Sequence, residues 1–163
     1  MRTFVVADLH FGDEAACTRY RRPDGSPLRP FKSAAEMDEE IILRWNQSVT
    51  ERDLVYVLGD VGRGRHARSV RLLAGRKHLI AGNGDDVAAI SRTGLFESIA
   101  IAKWLPGALL SHIPVHPSQL RRGMINVHGH LHARSVNDSR FVCVSLEQTD
   151  FRPVLLSSLQ HPN

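Results

Sequence analysis

Cysteine is scarce in this chain: Cys17 and Cys143 are the two present. Two cysteines build neither a disulfide framework nor a thiolate zinc site. Long apolar runs are missing as well. No stretch approaches the ~20 apolar residues that span a bilayer. The N-terminal run Thr3–Ala7 stops at Asp8, too short for the apolar core of a secretory signal. Internal repeats and low-complexity segments are absent, which excludes a fibrous or solenoid chain. An excess of acid is absent too: 21 Lys and Arg stand against 17 Asp and Glu, a net charge of +4. That mild basicity suits an anionic ligand without by itself indicating nucleic acid. What remains are 163 residues, 42% hydrophobic and 23% charged, the balance of a globular protein. The length predicts one domain over residues 1–163, and the missing leader and span predict a cytoplasmic protein with no membrane partner.

Short apolar runs bounded by turn residues read as buried strands. They fall at 3–7, 54–58, 78–81, 98–104, 108–111, 124–128, 141–145 and 154–156. Helical signals lie between the early ones. Ser33 and Glu36 form a capping box, and Met37, Ile41 and Trp45 repeat on one face behind it, predicting a helix over 34–49. A second is predicted over 64–74, with Ala67, Val70 and Leu73 inward and Gly75 closing it. A short third follows Asp85. The first half thus reads βαβαβ and the second half mostly β, an α/β chain. Thr18–Lys32, with three prolines and Arg19, Arg21, Arg22, Arg29 and Lys32, reads as a long loop whose basic side chains rim an anionic substrate.

Histidine is the residue in excess. There are nine, five of them between His112 and His132. Five short motifs each close a predicted strand: Asp8-Leu9-His10, Gly59-Asp60, Gly82-Asn83-Gly84-Asp85, Ser111-His112 and Gly129-His130-Leu131-His132. Ligands of open α/β sheets sit outside the carboxyl ends of the strands, so side chains from five strand ends can converge. Each motif alone is an ordinary turn or surface feature; five in order, each after a strand, are not a coincidence. Together they offer two Asp, one Asn and four His, a mixture of imidazole and carboxylate oxygen that suits manganese, iron, zinc or cobalt. Seven side chains are too many for one ion and about right for two that share a carboxylate.

This set resembles the calcineurin-like metallophosphoesterases, whose pattern is D-x-H, G-D, G-N-H-[DE], a lone His and G-H-x-H. Asp8-Leu9-His10-Phe11-Gly12, Arg29-Pro30-Phe31, Lys77-His78-Leu79-Ile80 and Phe151-Arg152-Pro153-Val154 further resemble a compact bacterial and phage subgroup. The resemblance implies a four-layer αββα sandwich of two mixed sheets. It implies two divalent ions, manganese first, with iron, zinc, cobalt or nickel as alternatives. Asp8, His10, Asp60 and His132 would hold one ion, and Asp60, Asn83, His112 and His130 the other. Asp60 would bridge, and Asp60, Asn83 and His112 would be the residues closest to the chemistry. A hydroxide shared by the ions would attack phosphorus, making the chain a phosphoesterase that favours phosphodiesters over phosphomonoesters, on a small or nucleotide-like substrate. A metal-binding scaffold with little turnover, or a nuclease, are the alternatives.

Two departures stand out. Gly84 occupies the place of the motif His, and Asp13 follows Phe11-Gly12 where the subgroup often has a His. Loss of an imidazole near the leaving group predicts a preference for aryl diesters over alkyl monoesters, which Gly84→His would offset. Asp13, Arg63, Arg65, Asp85, His116 and His128 are further candidates for contact with substrate or for positioning the ligands. His66 and His78 read as structural, and His161 as part of the tail.

Overall fold

A computed structural model describes residues 1–160; the tail histidine, His161, lies outside them. Two mixed sheets face one another. The first is ordered β4-β3-β2-β1-β9, the second β5-β6-β7-β8. In the first, β1 (Thr3–Val6), β2 (Leu54–Val57), β3 (Arg76–Ile80) and β4 (Ser98–Ala100) run parallel, and β9 (Val154–Leu155) closes one edge antiparallel to β1. In the second, β5 (Ala102–Leu105) is antiparallel to β6 (Ala108–Ser111), while β6, β7 (Ile125–His128) and β8 (Phe141–Cys143) are parallel.

Strand alternation explains why the centre of the first sheet is apolar on both faces. Phe4, Val6, Val55, Val57 and Leu79 face a layer of helices, while Val5, Ala7, Tyr56, Leu58 and Ile80 face Ala108, Leu110, Ile125 and Val127 of the second sheet. The helix layer is α1 (Glu14–Thr18), α2 (Ala34–Ser48), a 3-10 segment (Gly64–Leu72) and α3 (Val87–Ser91). Ser33 caps α2 by accepting from the Glu36 N–H at 3.2 Å. Met37, Ile41 and Trp45 are fully buried beneath it, and the Trp45 indole N–H donates to the Ala74 carbonyl at 2.9 Å. Over the second sheet, the segment after His112 takes the place of a helix. Its Val115 N–H donates to the Asn126 side chain, and it carries one 3-10 turn, Pro117–Gln119. A last helical turn, α4 (Leu156–Leu159), packs by β1. No helix among the described residues is long and apolar enough to cross a membrane.

Three elements differ from the sequence reading. The strand over 98–104 is two strands in different sheets, with an exposed Ile101 at the crossover. The helix over 64–74 is a 3-10 helix ending at Leu72. Its inward residues Ala67, Val70 and Leu73 are spaced by three, the period of a 3-10 helix. The long loop expected from Thr18 is preceded by a short helix that the sequence reading lacks, α1, capped by Asp13.

Asp53 ties the start of the chain to the turn before β2. It accepts from the Arg2 N–H, Nε and Nη2 and from the Thr50 N–H and hydroxyl, at 2.6 to 3.3 Å. The Arg2 guanidinium, with these backbone donors, holds the carboxyl well below the usual carboxylate range. A depressed folded pKa stabilises above the unfolded value of about 3.9 and loses that contribution as pH falls through the folded one. Asp53→Asn is therefore expected to lower Tm at neutral pH, with the gap to wild type narrowing below about pH 4. Thermal melts of both proteins across pH check this; a gap that stays constant into strong acid would contradict it.

Candidate metal centre

All five motifs stand at the carboxyl ends of strands. Asp8 and His10 follow β1, Asp60 follows β2, Asn83 follows β3, His112 follows β6, and His130 and His132 follow β7. The two sheets meet there through a bridge between Ala7 and Ser145. Asp8, His10, Asp60, His130 and His132 all take left-handed backbone conformations, with φ between 48° and 69°. Each such residue costs of order 1–3 kcal/mol and persists only where its surroundings impose it. Here the imposition is visible in backbone bonds: the Asp8 N–H donates to Gly59 O at 3.0 Å and the His10 N–H to Asp60 O at 2.9 Å.

The side chains converge with acceptor atoms foremost. Asp60 spans two imidazoles, its Oδ2 3.5 Å from His10 Nε2 and its Oδ1 3.7 Å from His112 Nε2. Asp8 Oδ1 lies 3.9 Å from His10 Nε2. Asp8, His10 and His132 form one group able to hold an ion; Asp8, Asp60 and His112 form another. His130 is exposed at the rim, its ring 5.1 Å from that of His112. His112 Nδ1–H donates to the Leu58 carbonyl at 2.8 Å, leaving Nε2 as the lone-pair nitrogen. That nitrogen faces Asn83 Oδ1 at 2.9 Å, so a third acceptor joins Asp60 around the same point. Asp8 Oδ1 and His10 Nε2 are buried without a hydrogen-bond partner. Buried polar atoms crowded together without partners fit a bound cation.

A surrounding set of residues fixes these candidate ligands. Asp8 Oδ2 accepts from the His130 N–H at 2.8 Å and the Ser145 hydroxyl at 2.6 Å. Asp85 reaches under the Asp60 turn, accepting from the N–H groups of Asp60, Val61 and Gly82 at 2.8 to 3.0 Å. Asp13 stands 3.5 Å from His10 Nδ1, and that imidazole holds its carboxyl below the usual range. Gly84 donates its N–H to Asp60 Oδ1 at 2.7 Å, and a Cβ there would lie 3.0 Å from that oxygen. For Gly84→His to supply an imidazole, the Asp60 carboxylate must therefore give by a few tenths of an ångström.

Arg29 is the main correction. Expected on a basic rim, it is fully buried. Its Nη1 donates to Leu9 O at 2.9 Å, its Nη2 to Asp8 O, and its Nε to Glu147 Oε1 at 2.8 Å. The same Glu147 oxygen faces His132 Nδ1 at 3.1 Å. Burial alone would raise the Glu147 pKa; Arg29 and His132 outweigh it and hold the carboxyl at about 2. Burial lowers the His132 pKa, and Glu147 overrides that to raise it. Glu147 and Ser145 carry no motif, and neither was marked by the sequence.

A cavity of about 530 Å³ opens onto the centre, lined in part by His10, Asp60, Asn83, His130 and His132. Arg63, Tyr20 and His66 also line it, His66 with its ring against Gly12. Arg65 faces an adjoining depression. His116 and His128 do not line the cavity. His116 caps the 3-10 turn at 117–119, and His128 is fully buried with Nδ1–H donating to Gly129 O. His78 contacts Ser98 and the Tyr56 ring, away from the centre.

No family model matches the chain. It is 28% identical over 167 residues to an uncharacterised protein of Methanocaldococcus jannaschii, covering 95% of this chain and 87% of that one. A protein of unknown function from Aquifex aeolicus superposes with a TM-score of 0.73 over 97% of both chains at 23% identity. The nuclease MPE of Pseudomonas putida superposes with a TM-score of 0.52 at 23% identity, covering 80% of this chain and 62% of the nuclease. At such identity the likeness to both solved structures is one of fold.

Residues that orient metal-binding imidazoles are typically worth 10- to 100-fold in metal affinity. Glu147→Gln keeps an acceptor for His132 and is expected to weaken manganese binding about tenfold, Glu147→Ala nearer a hundredfold. Titration calorimetry on protein with unaltered circular dichroism measures both; wild-type affinity in the two variants would remove Glu147 from the centre.

Proposed function

We propose that the chain is a metal-dependent phosphoesterase of the calcineurin-like kind that favours phosphodiesters. The observation that carries this reading is the convergence of Asp8, His10, Asp60, Asn83 and His112 at the carboxyl ends of the strands, with Asp8 Oδ1 and His10 Nε2 buried and without a hydrogen-bond partner. We assign Asp8, His10, Asp60 and His132 to one divalent ion and Asp60, Asn83, His112 and His130 to a second, with manganese the first choice. Such ions neutralise phosphoryl oxygens and supply a nucleophile at neutral pH.

The rest falls to the chain. Asp60, with one oxygen toward each imidazole, holds the two halves of the centre at a fixed separation. Arg63 lines the cavity and offers a planar fork of donors to phosphate oxygens. The cavity volume of about 530 Å³ lies within the usual size of a small-ligand site, so a nucleotide-sized ester is in scale. Position 84 supplies no imidazole. Protonation of the leaving group by a placed acid is worth about 10²–10⁴-fold. An aryl diester needs little of it and an alkyl monoester much more. The fold shared with a nuclease favours a nucleotide-containing diester over other substrates.

Metal-stripped protein reloaded with manganese is the test, with bis(4-nitrophenyl) phosphate and an alkyl monoester as substrates. Turnover of the diester is expected to appear with manganese, vanish with chelator and exceed that of the monoester. Asp60→Asn is expected to lower kcat by about a hundredfold or more. Tight manganese binding with no turnover of either ester would make the chain a scaffold instead.

A further inference from the structure

We propose that the metal centre is the middle of a track for a single-stranded oligonucleotide, with arginines gripping backbone phosphates on both sides of the bond to be cut. This rests on the phosphodiesterase reading above and names its substrate class.

Three depressions adjoin. The central cavity shares Gly62, Arg63 and Gly84 with a second of about 480 Å³, which Arg65 and Arg68 also line. On the opposite flank it shares His130 and His132 with a third of about 310 Å³, lined by Arg21 and Arg134. A substrate confined to the central cavity would use neither flank.

The cations are arrayed as a backbone would need them. In a 3-10 helix residues three apart eclipse one another, at about 6 Å per step. Arg65, Arg68 and Arg71 have that spacing in the Gly64–Leu72 segment, and all three are exposed. Their inward counterparts Ala67 and Val70 anchor the segment in the core, so the stripe is rigidly carried. Arg2, Arg29, Arg44, Arg76, Arg140 and Arg152 are each paired with a carboxylate. Among the described residues, Arg63, Arg65, Arg68 and Arg71 form no ion pair, nor do Arg21 and Arg134 on the other flank, a state they share with several surface arginines. Arg63, Arg65 and Arg68 line the second depression, with Arg71 one step further along the stripe; Asp86 is the one carboxylate lining it, and its Oδ1 accepts from the Ala89 N–H at 2.9 Å, capping α3.

Two features select a single strand. The ligands lie in a cavity, and B-form DNA, with a persistence length of about 150 base pairs, does not bend into one cheaply. Tyr20, about half exposed at 49%, lines the same cavity and offers a face on which an unpaired base can stack.

Labelled thymidine oligonucleotides, from a dinucleotide to about eight nucleotides, and the matching duplex are the probes. Binding to metal-stripped protein is read by fluorescence anisotropy, and cleavage with manganese is read beside that of bis(4-nitrophenyl) phosphate. Affinity is expected to rise with length and fall with salt. Arg68→Gln with Arg71→Gln, and separately Arg134→Gln, should each flatten the salt dependence, by roughly 0.7 in slope per arginine. Each should also lower the ratio of oligonucleotide to small-diester kcat/KM about tenfold, through KM. Equal affinity for the dinucleotide and the longer strand, tighter binding of the duplex, or unchanged slopes would overturn the track. Length-dependent binding in a protein that cleaves neither substrate would support the track and overturn the phosphoesterase reading. Cleavage of the small diester with no effect of oligonucleotide length would do the reverse.

Discussion

Two carboxylates, Asp8 and Asp60, are held out of solvent at the ends of neighbouring strands and aimed into one small volume with imidazole nitrogens. Like charges brought together under low dielectric repel. The fold therefore gives each a partial counterweight. Asp8 receives a backbone N–H and a hydroxyl on one oxygen, and Asp60 receives the Gly84 N–H on one of its own. Asp8 Oδ1 and His10 Nε2 receive nothing from the protein. That remainder is what a divalent ion would neutralise, so metal binding and the conformation of the strand ends are one equilibrium.

The strand ends must be stiff for this to hold. Five candidate ligand residues in left-handed conformations would relax if their turns were free. Asp85 fastens the Asp60 turn by three backbone N–H groups, and Arg29 fastens the carbonyls of Asp8 and Leu9 from below. Arg29 also reaches Glu147, and Glu147 reaches His132. One buried cation thus connects the first ligand motif in the chain to the last. Such a pair is costly to bury and costly to break; its return lies in geometry rather than in stability.

The sequence displayed some of this and concealed the rest for physical reasons. Asp8-x-His10 and His130-x-His132 are legible because ligand chemistry restricts residue type, and strand ends restrict spacing. The helix Ala34–Ser48 is legible from its cap and its apolar face. Arg29 is not, because it stands in a basic run and its burial depends on a carboxylate 118 positions away. Glu147 is a lone acid with no local pattern. The split of 98–104 between two sheets escapes too, since both halves have the same apolar character. The 3-10 segment was half-visible: its apolar spacing of three was present in Ala67, Val70 and Leu73, and only the period was misread as α-helical.

On the proposed reading, these residues hold two ions through one shared carboxylate, Asp60. Native mass spectrometry of manganese-loaded protein counts them directly. Two ions per chain in the wild type, with both lost together in Asp60→Asn, is the predicted result. A wild type that never retains more than one ion, or an Asp60→Asn variant that keeps two, would contradict the account.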